Sequence, residues 1–191
     1  RRTGAVAVSL QLSTTVAPGT IGVAGQIDTS GAATFDGGNV GLSSAERLWL
    51  RGRILTSGGA SDATNPGGNG GDVNLSAAGD LFLRAGTFDT RGASAAGTGN
   101  AGSGGDVLIQ VTNGSGGTFD WGINADGGST AAGTGGDGGL LDVALDGSIF
   151  WFAVFTANGG NSSTGSAGSG GDMDAAAGEA RGILLTYSNG G

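Results

Sequence analysis

The chain has 191 residues, of which 45 are glycine, and a formal net charge of −8. It contains no His or Cys, and all eight basic residues are Arg, which excludes His- and Cys-based nucleophiles, Schiff-base lysines, disulfides and the usual zinc sites. The acidic balance argues against nucleic-acid binding, and no apolar run reaches the ~18 residues of a membrane span. We therefore expect no enzyme activity, no cofactor, no nucleic-acid partner and no membrane insertion.

The first predicted strand lies in residues 5–12, Ala-Val-Ala-Val-Ser-Leu-Gln-Leu. Its larger apolar residues alternate with small or polar ones, at Val6, Val8, Leu10 and Leu12. A period of two over this length indicates a half-buried strand. This strand would belong to a first coil at residues 5–36.

From residue 37 onward, a repeat of about 33 residues organises the sequence. One apolar residue recurs two positions after a Gly-Gly pair, at Val40, Val73, Val107, Leu141 and Met173. The spacings are 33, 34, 34 and 32 residues. Each of these residues opens an alternating strand, and a fixed period of this length is typical of a stacked array.

Two further strands and a Gly-rich arm follow in most repeats. The second strand begins with an alternating apolar pair, at Leu48/Leu50, Leu81/Leu83, Phe119/Trp121 and Ile149/Trp151. The third strand starts at Ile27, Ile54, Phe88, Ile123 and Phe155. The polar arms then cover 58–71, 92–105, 127–139 and 159–171. Stacked arms would need glycine, because it lets two backbones approach closely.

Three short strands per repeat without a helical pattern predict an all-β fold, a parallel β-solenoid. Each repeat would be one coil, and equivalent residues would stack at about 4.8 Å. The general rule for parallel crossovers predicts a right-handed coil. We expect one domain, 1–191, with coils at approximately 5–36, 37–69, 70–103, 104–137, 138–169 and 170–191.

The unit at residues 67–92 resembles repeats of large secreted bacterial β-helix proteins. It reads Gly-Gly-Asn-Gly-Gly-Asp-Val-Asn-Leu-Ser-Ala-Ala-Gly-Asp-Leu-Phe-Leu-Arg-Ala-Gly-Thr-Phe-Asp-Thr-Arg-Gly. The family in question is that of the filamentous-haemagglutinin-like exoproteins and adhesins, and the resemblance covers about residues 37–190. It implies a right-handed β-helix, an extracellular or cell-surface location on a bacterium, and an adhesive or structural role. The family offers no catalytic residues to transfer.

A ladder of acidic and amide residues precedes the first strand of each repeat, at Asn39, Asp72, Asp106 and Asp172, with Leu140 as an interruption. Asp72, Asp106 and Asp172 would stack about 5 Å from their neighbours, where like charges repel unless they are bridged. One interpretation is a row of calcium ions bound by carboxylate and glycine carbonyl oxygens. The other is turn chemistry, in which these side chains accept backbone hydrogen bonds where the arm enters the strand.

Outward-facing aromatic residues are expected on the second strand. If Leu48 and Leu50 face inward, Trp49 between them must point out. The same alternation places three further aromatic residues on the outer face, namely Phe82, Phe150 and Phe152. A soluble monomer rarely leaves such a patch exposed. It would serve as a protein–protein interface, as a carbohydrate-stacking surface, or as a surface that the Gly-rich arms cover.

Both ends of the predicted column remain apolar, with Val6, Val8, Leu10 and Leu12 at one end and Ile183, Leu185 and Tyr187 at the other. Neither end has the charged, Pro-bearing or helical cap that blocks edge pairing in monomeric solenoids. Uncapped ends favour head-to-tail stacking into a filament. The alternative is that the sequence is a fragment whose caps lie in flanking sequence.

The sequence contains two further, weaker patterns. Arginines and acids alternate on two neighbouring coils and should form surface ion pairs, at Arg47, Arg51, Arg53, Arg84, Arg91, Glu46, Asp80 and Asp89. A surface row of threonines would indicate ice binding, but the corresponding column decays along the chain, as Thr29, Thr56, Thr90, Ala125, Ala157 and Tyr187.

These patterns predict a structural protein, a self-assembling subunit of an extracellular filament or surface fibre built by head-to-tail stacking. Its partner would be a second copy of itself, with glycans or a host surface as further possibilities. The alternative is a stalk segment of a secreted adhesin that displays a glycan- or receptor-binding part. A polymer subunit should assemble as its concentration rises, whereas an adhesin segment should stay monomeric.

Overall fold

A computed structural model describes residues 9–61, 65–114 and 116–191, except for the side chains of residues 85, 116–120, 149–153 and 180–185. The described part of the chain contains β-strands and no helix. In chain order the strands are β1 (Leu10–Ser13), β2 (Thr20–Asp28), β3 (Val40–Ser44), β4 (Arg47–Leu55), β5 (Val73–Ala77), β6 (Leu81–Asp89), β7 (Val107–Val111), β8 (Gly116–Asn124), β9 (Leu141–Thr156) and β10 (Met173–Tyr187).

All strand pairs are parallel and connect equivalent positions of successive repeats. The order in the sheet is β1-β3-β5-β7-β9-β8-β6-β4-β2, and β10 pairs with β9. The first wall of the column therefore contains β1, β3, β5, β7 and the first halves of β9 and β10. The second wall contains β2, β4, β6, β8 and the second halves of the same two long strands. The prediction of a parallel β-solenoid is confirmed.

The register of the first wall matches the repeat found in the sequence. Val40 pairs with Val73, Val73 with Val107, Val107 with Leu141 and Leu141 with Met173. The first coil is shorter, because Leu10 pairs with Val40 after 30 residues. Val6 and Val8 lie outside the described residues.

The predicted second and third strands of each repeat run together as one strand of the second wall. Glycine allows this strand to bend, since Gly25 and Gly52 lie opposite each other with φ of 120° and 136°. One alignment differs from the prediction, because Phe119 pairs with Leu83 and Trp121 pairs with Gly86. Two one-residue irregularities produce this alignment, one between Leu81 and Leu83 and one between Leu83 and Gly86, and alternation alone could not detect them.

One hydrophobic core lies between the two walls and consists of stacked columns of apolar residues. Ile54, Phe88, Ile123 and Phe155 form one such column, in the register predicted for the third strand, and all four are buried. The rings of Phe88 and Trp121 stack with centroids 4.3 Å apart. Within the part of the chain that the structure describes, no helix is long and apolar enough to cross a membrane.

The Gly-rich arms stack on one another through backbone hydrogen bonds. The Gly68 N–H donates to the Gly59 carbonyl at 3.1 Å, the Ala93 N–H to Gly68 at 2.9 Å, and the Gly102 N–H to Ala93 at 2.9 Å. Each arm has an outgoing limb, which leaves the preceding strand, and a returning limb, which leads into the next strand. The outgoing and returning limbs of successive arms thus alternate in one ladder of backbone hydrogen bonds. The limbs approach so closely that a Cβ on Gly102 would lie 1.9 Å from the Gly68 carbonyl oxygen. Glycine is required there for space.

Candidate functional site

The predicted acidic ladder connects three pairs of successive coils through hydrogen bonds from backbone N–H groups to side-chain oxygens. The Asp72 N–H donates to Asn39 Oδ1 at 2.8 Å, the Asp106 N–H to Asp72 Oδ1 at 3.0 Å, and the Leu140 N–H to Asp106 Oδ1 at 2.8 Å. These side chains therefore accept from the backbone of the following coil. Among the described residues, no group of three or more acidic side chains is placed to hold a metal ion.

A second ladder of the same kind lies three residues earlier, and the sequence analysis missed it. The Asn69 N–H donates to Asp36 Oδ1 at 2.7 Å, the Ser103 N–H to Asn69 Oδ1 at 2.8 Å, and the Ser169 N–H to Asp137 Oδ1 at 2.7 Å. The signal was present in the sequence, because an Asp, Asn or Ser precedes the Gly-Gly pair in every repeat, at Asp36, Asn69, Ser103, Asp137 and Ser169.

Both ladders have a direction along the column. A side-chain oxygen of one coil accepts from the backbone N–H of the following coil. The Asn39 side-chain amide runs in the opposite sense, since its Nδ2 donates to Asp72 Oδ2 at 3.4 Å. At these positions the side-chain acceptors therefore face the coil above, and the backbone N–H groups face the coil below. The upper face of any such coil is complementary to the lower face of another.

The strand edges present backbone N–H and carbonyl groups on both sides, at alternate residues. The Leu141 N–H donates to the Asp172 carbonyl at 3.0 Å, so Asp172 and, by alternation in a parallel ladder, Asp174 direct their backbone groups toward β9. Met173 and Ala175 direct theirs away from β9. At the other end, the Leu10 N–H donates to Asn39 at 2.8 Å, and Gln11 consequently directs its backbone groups away from β3.

The apolar residues predicted at the two ends fall in different places. Leu10 is half-buried against the core, whereas Leu12 is 41% exposed. Tyr187 lies in the last coil, where it pairs with Thr156 of β9, and its side chain is 51% exposed. The side chains of Ile183 and Leu185 lie outside the described residues. Leu12 and Tyr187 are thus accessible to a partner.

Two of the predicted outward aromatics form an exposed pair on the second wall. Trp49 and Phe82 pair in register on β4 and β6, and 36% and 37% of their surfaces are exposed. The Gly-rich arms stack on one another, and the pair stays partly exposed. The side chains of Phe150 and Phe152 lie outside the described residues.

The arginines divide into paired and unpaired groups. Arg47 lies 3.6 Å from Asp80, and Arg91 lies 2.7 Å from Asp89, as the sequence predicted. The hydrogen bonds with Asp89 raise the pKa of Arg91 above its ordinary value. Arg51, Arg53 and Arg84 are exposed and, within the described residues, form no ion pair. These three lie on the same wall as Trp49 and Phe82.

The threonine column lies inside the molecule and does not form the surface row that ice binding would need. Thr56 Oγ1 donates to the Gly71 carbonyl at 2.6 Å and Thr90 Oγ1 to Gly105 at 2.8 Å, and both threonines are fully buried. These hydroxyls fasten the returning arm to the end of the strand. The column ends at Ser188 instead of Tyr187, because Tyr187 pairs with Thr156.

Comparison with protein-family models, with curated proteins and with solved structures finds no match.

Proposed function

We propose that this protein is a structural subunit of an extracellular filament or surface fibre that is built by head-to-tail stacking of solenoid coils. The observation that carries the proposal is the directional ladder. At the ladder positions the upper face of a coil offers side-chain acceptors, and the lower face offers backbone N–H groups. The strand edges add backbone N–H and carbonyl groups on both faces. A second copy placed on top would continue both ladders and both walls.

The column would continue in register across such a joint. Met173 and Ala175 direct their backbone groups upward, and Gln11 directs its groups downward. Leu10 of the next copy would then stack on Met173, just as Val40 stacks on Leu10 within the chain. The exposed Leu12 would be covered by the same contact. Such a contact is heterologous and continues into an open filament.

Composition and resemblance support the remaining parts of the proposal. The absence of His, Cys and Lys removes the commonest nucleophiles and bases, which supports a non-enzymatic role. The resemblance to filamentous-haemagglutinin-like exoproteins supports an extracellular or bacterial cell-surface location. Calcium is not required for the proposed joint, because its contacts are backbone hydrogen bonds and apolar stacking.

A stalk segment of a secreted adhesin is the second candidate function. The observation that favours it is that further coils of the same chain would satisfy the ladders as well as a second copy does. The column would then act as a rigid spacer for a glycan- or receptor-binding part. The two candidates differ in one measurable property, which is association of the isolated chain.

Negative-stain microscopy over a concentration series tests the proposal. We expect filaments with a subunit repeat of about 25–30 Å, as expected for a stack of coils about 4.8 Å apart. Ala175→Pro should abolish them, because proline removes an upward N–H and leaves the bonds to β9 in place. Ala175→Val is the matched control, since it retains this N–H. A series in EDTA should give the same filaments.

Monomers of the unchanged chain at every concentration would contradict the filament and favour the adhesin stalk. Filaments that persist in Ala175→Pro would show that another surface forms the joint.

A further inference from the structure

Arg47, Arg51, Arg53 and Arg84 lie on the second wall, whereas three columns on the first wall and the turn before it contain aspartates and no arginine. The two walls pack on one core, so their outer faces point in different directions. The outer face of the second wall holds an arginine–aromatic wall, which we define as Trp49, Phe82, Arg51, Arg53 and Arg84. The outer face of the first wall and the turn before it hold a carboxylate stripe, which we define as Asp106, Asp142, Asp172, Asp174 and Leu140.

The arginine–aromatic wall has the composition of an interface core. Trp49 lies in register with Phe82, and Arg51 with Arg84, so two aromatic rings and two guanidinium groups form adjacent short ladders. Aromatic residues and Arg are the types that interfaces favour. Arg53 adds a third guanidinium, whose Nε donates to Thr87 Oγ1 at 3.3 Å.

The carboxylate stripe is complementary to this wall in charge and in apolar content. Asp142 pairs in register with Asp174, and Asp106 and Asp172 lie in the column of Leu140, which is 39% exposed. Three neighbouring columns of equivalent positions surround the stripe, and they contain aspartates and no arginine. The first column comprises residues 36, 69, 103, 137 and 169, the second residues 39, 72, 106, 140 and 172, and the third residues 11, 41, 74, 108, 142 and 174. The chain thus carries a cationic aromatic surface and an anionic surface with an exposed leucine.

The two surfaces also share a spacing. Both are ladders across stacked coils, so their members recur at about 4.8 Å along the column. Two parallel columns can therefore bring successive arginines opposite successive carboxylates. Every stack of parallel strands has this period, but the carboxylate stripe combines it with the opposite charge, which favours a second copy of this chain as the occupant.

We propose that the arginine–aromatic wall of one column docks laterally on the carboxylate stripe of a second copy. This inference rests on the proposed filament and names the contact that joins filaments side by side. The wall lies on the coils of β4 and β6, and the stripe lies on those of β7, β9 and β10. Docking would therefore offset neighbouring columns by two to three coils, about 10–14 Å. Each lateral contact would then span and stabilise an end-to-end joint of the neighbouring filament.

Sedimentation of the end-blocked Ala175→Pro chain tests the lateral contact separately from stacking. We expect association in about 20 mM salt and at least about tenfold weaker association in about 0.5 M salt, where the Debye length is a few ångströms. Arg51→Glu/Arg84→Glu and Asp142→Arg/Asp172→Arg, each on this background, should be monomeric. An equimolar mixture of the two should associate again, because each charge reversal supplies the complement of the other.

Control variants and the unblocked chain make the result specific. Thr98→Glu/Ser163→Glu adds negative charge on exposed arm residues and should leave the association unchanged. In the unblocked chain, Arg51→Glu/Arg84→Glu should form single filaments of normal length that do not bundle. If filaments do not form but lateral association persists, the result contradicts head-to-tail stacking and leaves the lateral proposal in place.

Three results would overturn the lateral proposal. The first is association of the end-blocked chain that charge reversal does not change, and the second is a mixture that stays monomeric. The third is a monomeric end-blocked chain that binds polygalacturonate through Arg51 and Arg84, which would assign the wall to an anionic polysaccharide.

Discussion

Each coil consists of a sheet half and an arm half, and the two halves are stabilised by different means. In the sheet half, apolar side chains stack in columns between the two walls, and the core cluster consists of strand residues and positions that directly follow strands. In the arm half, glycines stack by backbone hydrogen bonds, with Gly68, Gly102, Gly136 and Gly168 in the returning limbs. The sheet half needs large side chains, whereas the arm half has no room for them.

This difference explains how a chain with 45 glycines among 191 residues can form an ordered column. A glycine loses more conformational entropy on folding than any other residue. The arm compensates by pairing its backbone groups with the preceding and following arms. The internal hydroxyls of Thr56 and Thr90 join the two halves. Variants in each half should therefore fail for different reasons.

The largest effect is expected in the sheet half, at Phe88. This side chain is fully buried and packs on Trp121, so Phe88→Ala leaves a cavity in the centre of the column. We expect a loss of about 3–5 kcal/mol in the free energy of unfolding. Denaturant titration measures it. The control is Val154→Ala on β9, where the side chain is exposed. It should change the free energy of unfolding by less than about 0.5 kcal/mol.

A smaller but clear effect is expected in the arm half, at Gly102. The Cβ of Gly102→Ala would lie 1.9 Å from the Gly68 carbonyl oxygen, so adjacent arms must separate. We expect a loss of about 1–3 kcal/mol, the usual cost of overpacking. Gly122→Ala is the matched control, because its Cβ would meet only Thr87 Cγ2 at 3.6 Å. Equal stability of the two variants would contradict the tight stacking of the arms.

The ladder that joins successive coils should contribute less at any single position. Asp106→Ala removes the acceptor of the Leu140 N–H, and we expect a loss of about 0.5–1.5 kcal/mol. Asp106→Asn keeps an oxygen at this position and should recover most of the loss. Thermal unfolding of the three proteins distinguishes these cases. If the Asn variant were as unstable as the Ala variant, the ladder would depend on charge instead of on the acceptor.

The smallest effect concerns Asp28 at the end of β2. The backbone N–H of Ser30, with smaller contributions from the Ser30 hydroxyl, Gln26 and Arg53, lowers the pKa of Asp28 below its ordinary value of 3.8. A lowered pKa in the folded state stabilises the protein above 3.8, and this stabilisation is lost as the pH falls through the folded-state value. The stability difference between the wild type and Asp28→Asn should therefore shrink below pH 4. A difference that is constant from pH 6 to pH 2.5 would contradict this account.

The sequence predicted the sheet half better than the arm half. Alternation together with a Gly-Gly anchor placed Val40, Val73, Val107 and Leu141 in their observed register, because only one register buries every apolar residue. It could not place Trp121, since two register irregularities between Leu81 and Gly86 move the partner of Trp121 from Leu83 to Gly86. Nor could it show that Thr56 and Thr90 point inward, because small polar residues carry no burial signal of their own.

The candidate site was predictable only in part for a related reason. Trp49 and Phe82 follow from alternation, since their neighbours must face the core. The use of Asp72 and Asp106 as acceptors for the next coil depends on how closely the coils approach, which the sequence does not encode locally. The second ladder, at Asp36 and equivalent positions, was visible as a recurring polar residue before each Gly-Gly pair.

Amide hydrogen exchange of the assembled and end-blocked chains tests head-to-tail stacking most directly. The account predicts that the amides of Met173, Gln11 and the residue at position 175 exchange quickly in the Ala175→Val control at low concentration and become protected when it assembles. In the Ala175→Pro chain, the amides of Met173 and Gln11 should stay unprotected at every concentration. Assembly that increases the mass while these edge amides continue to exchange quickly would contradict stacking through the strand edges.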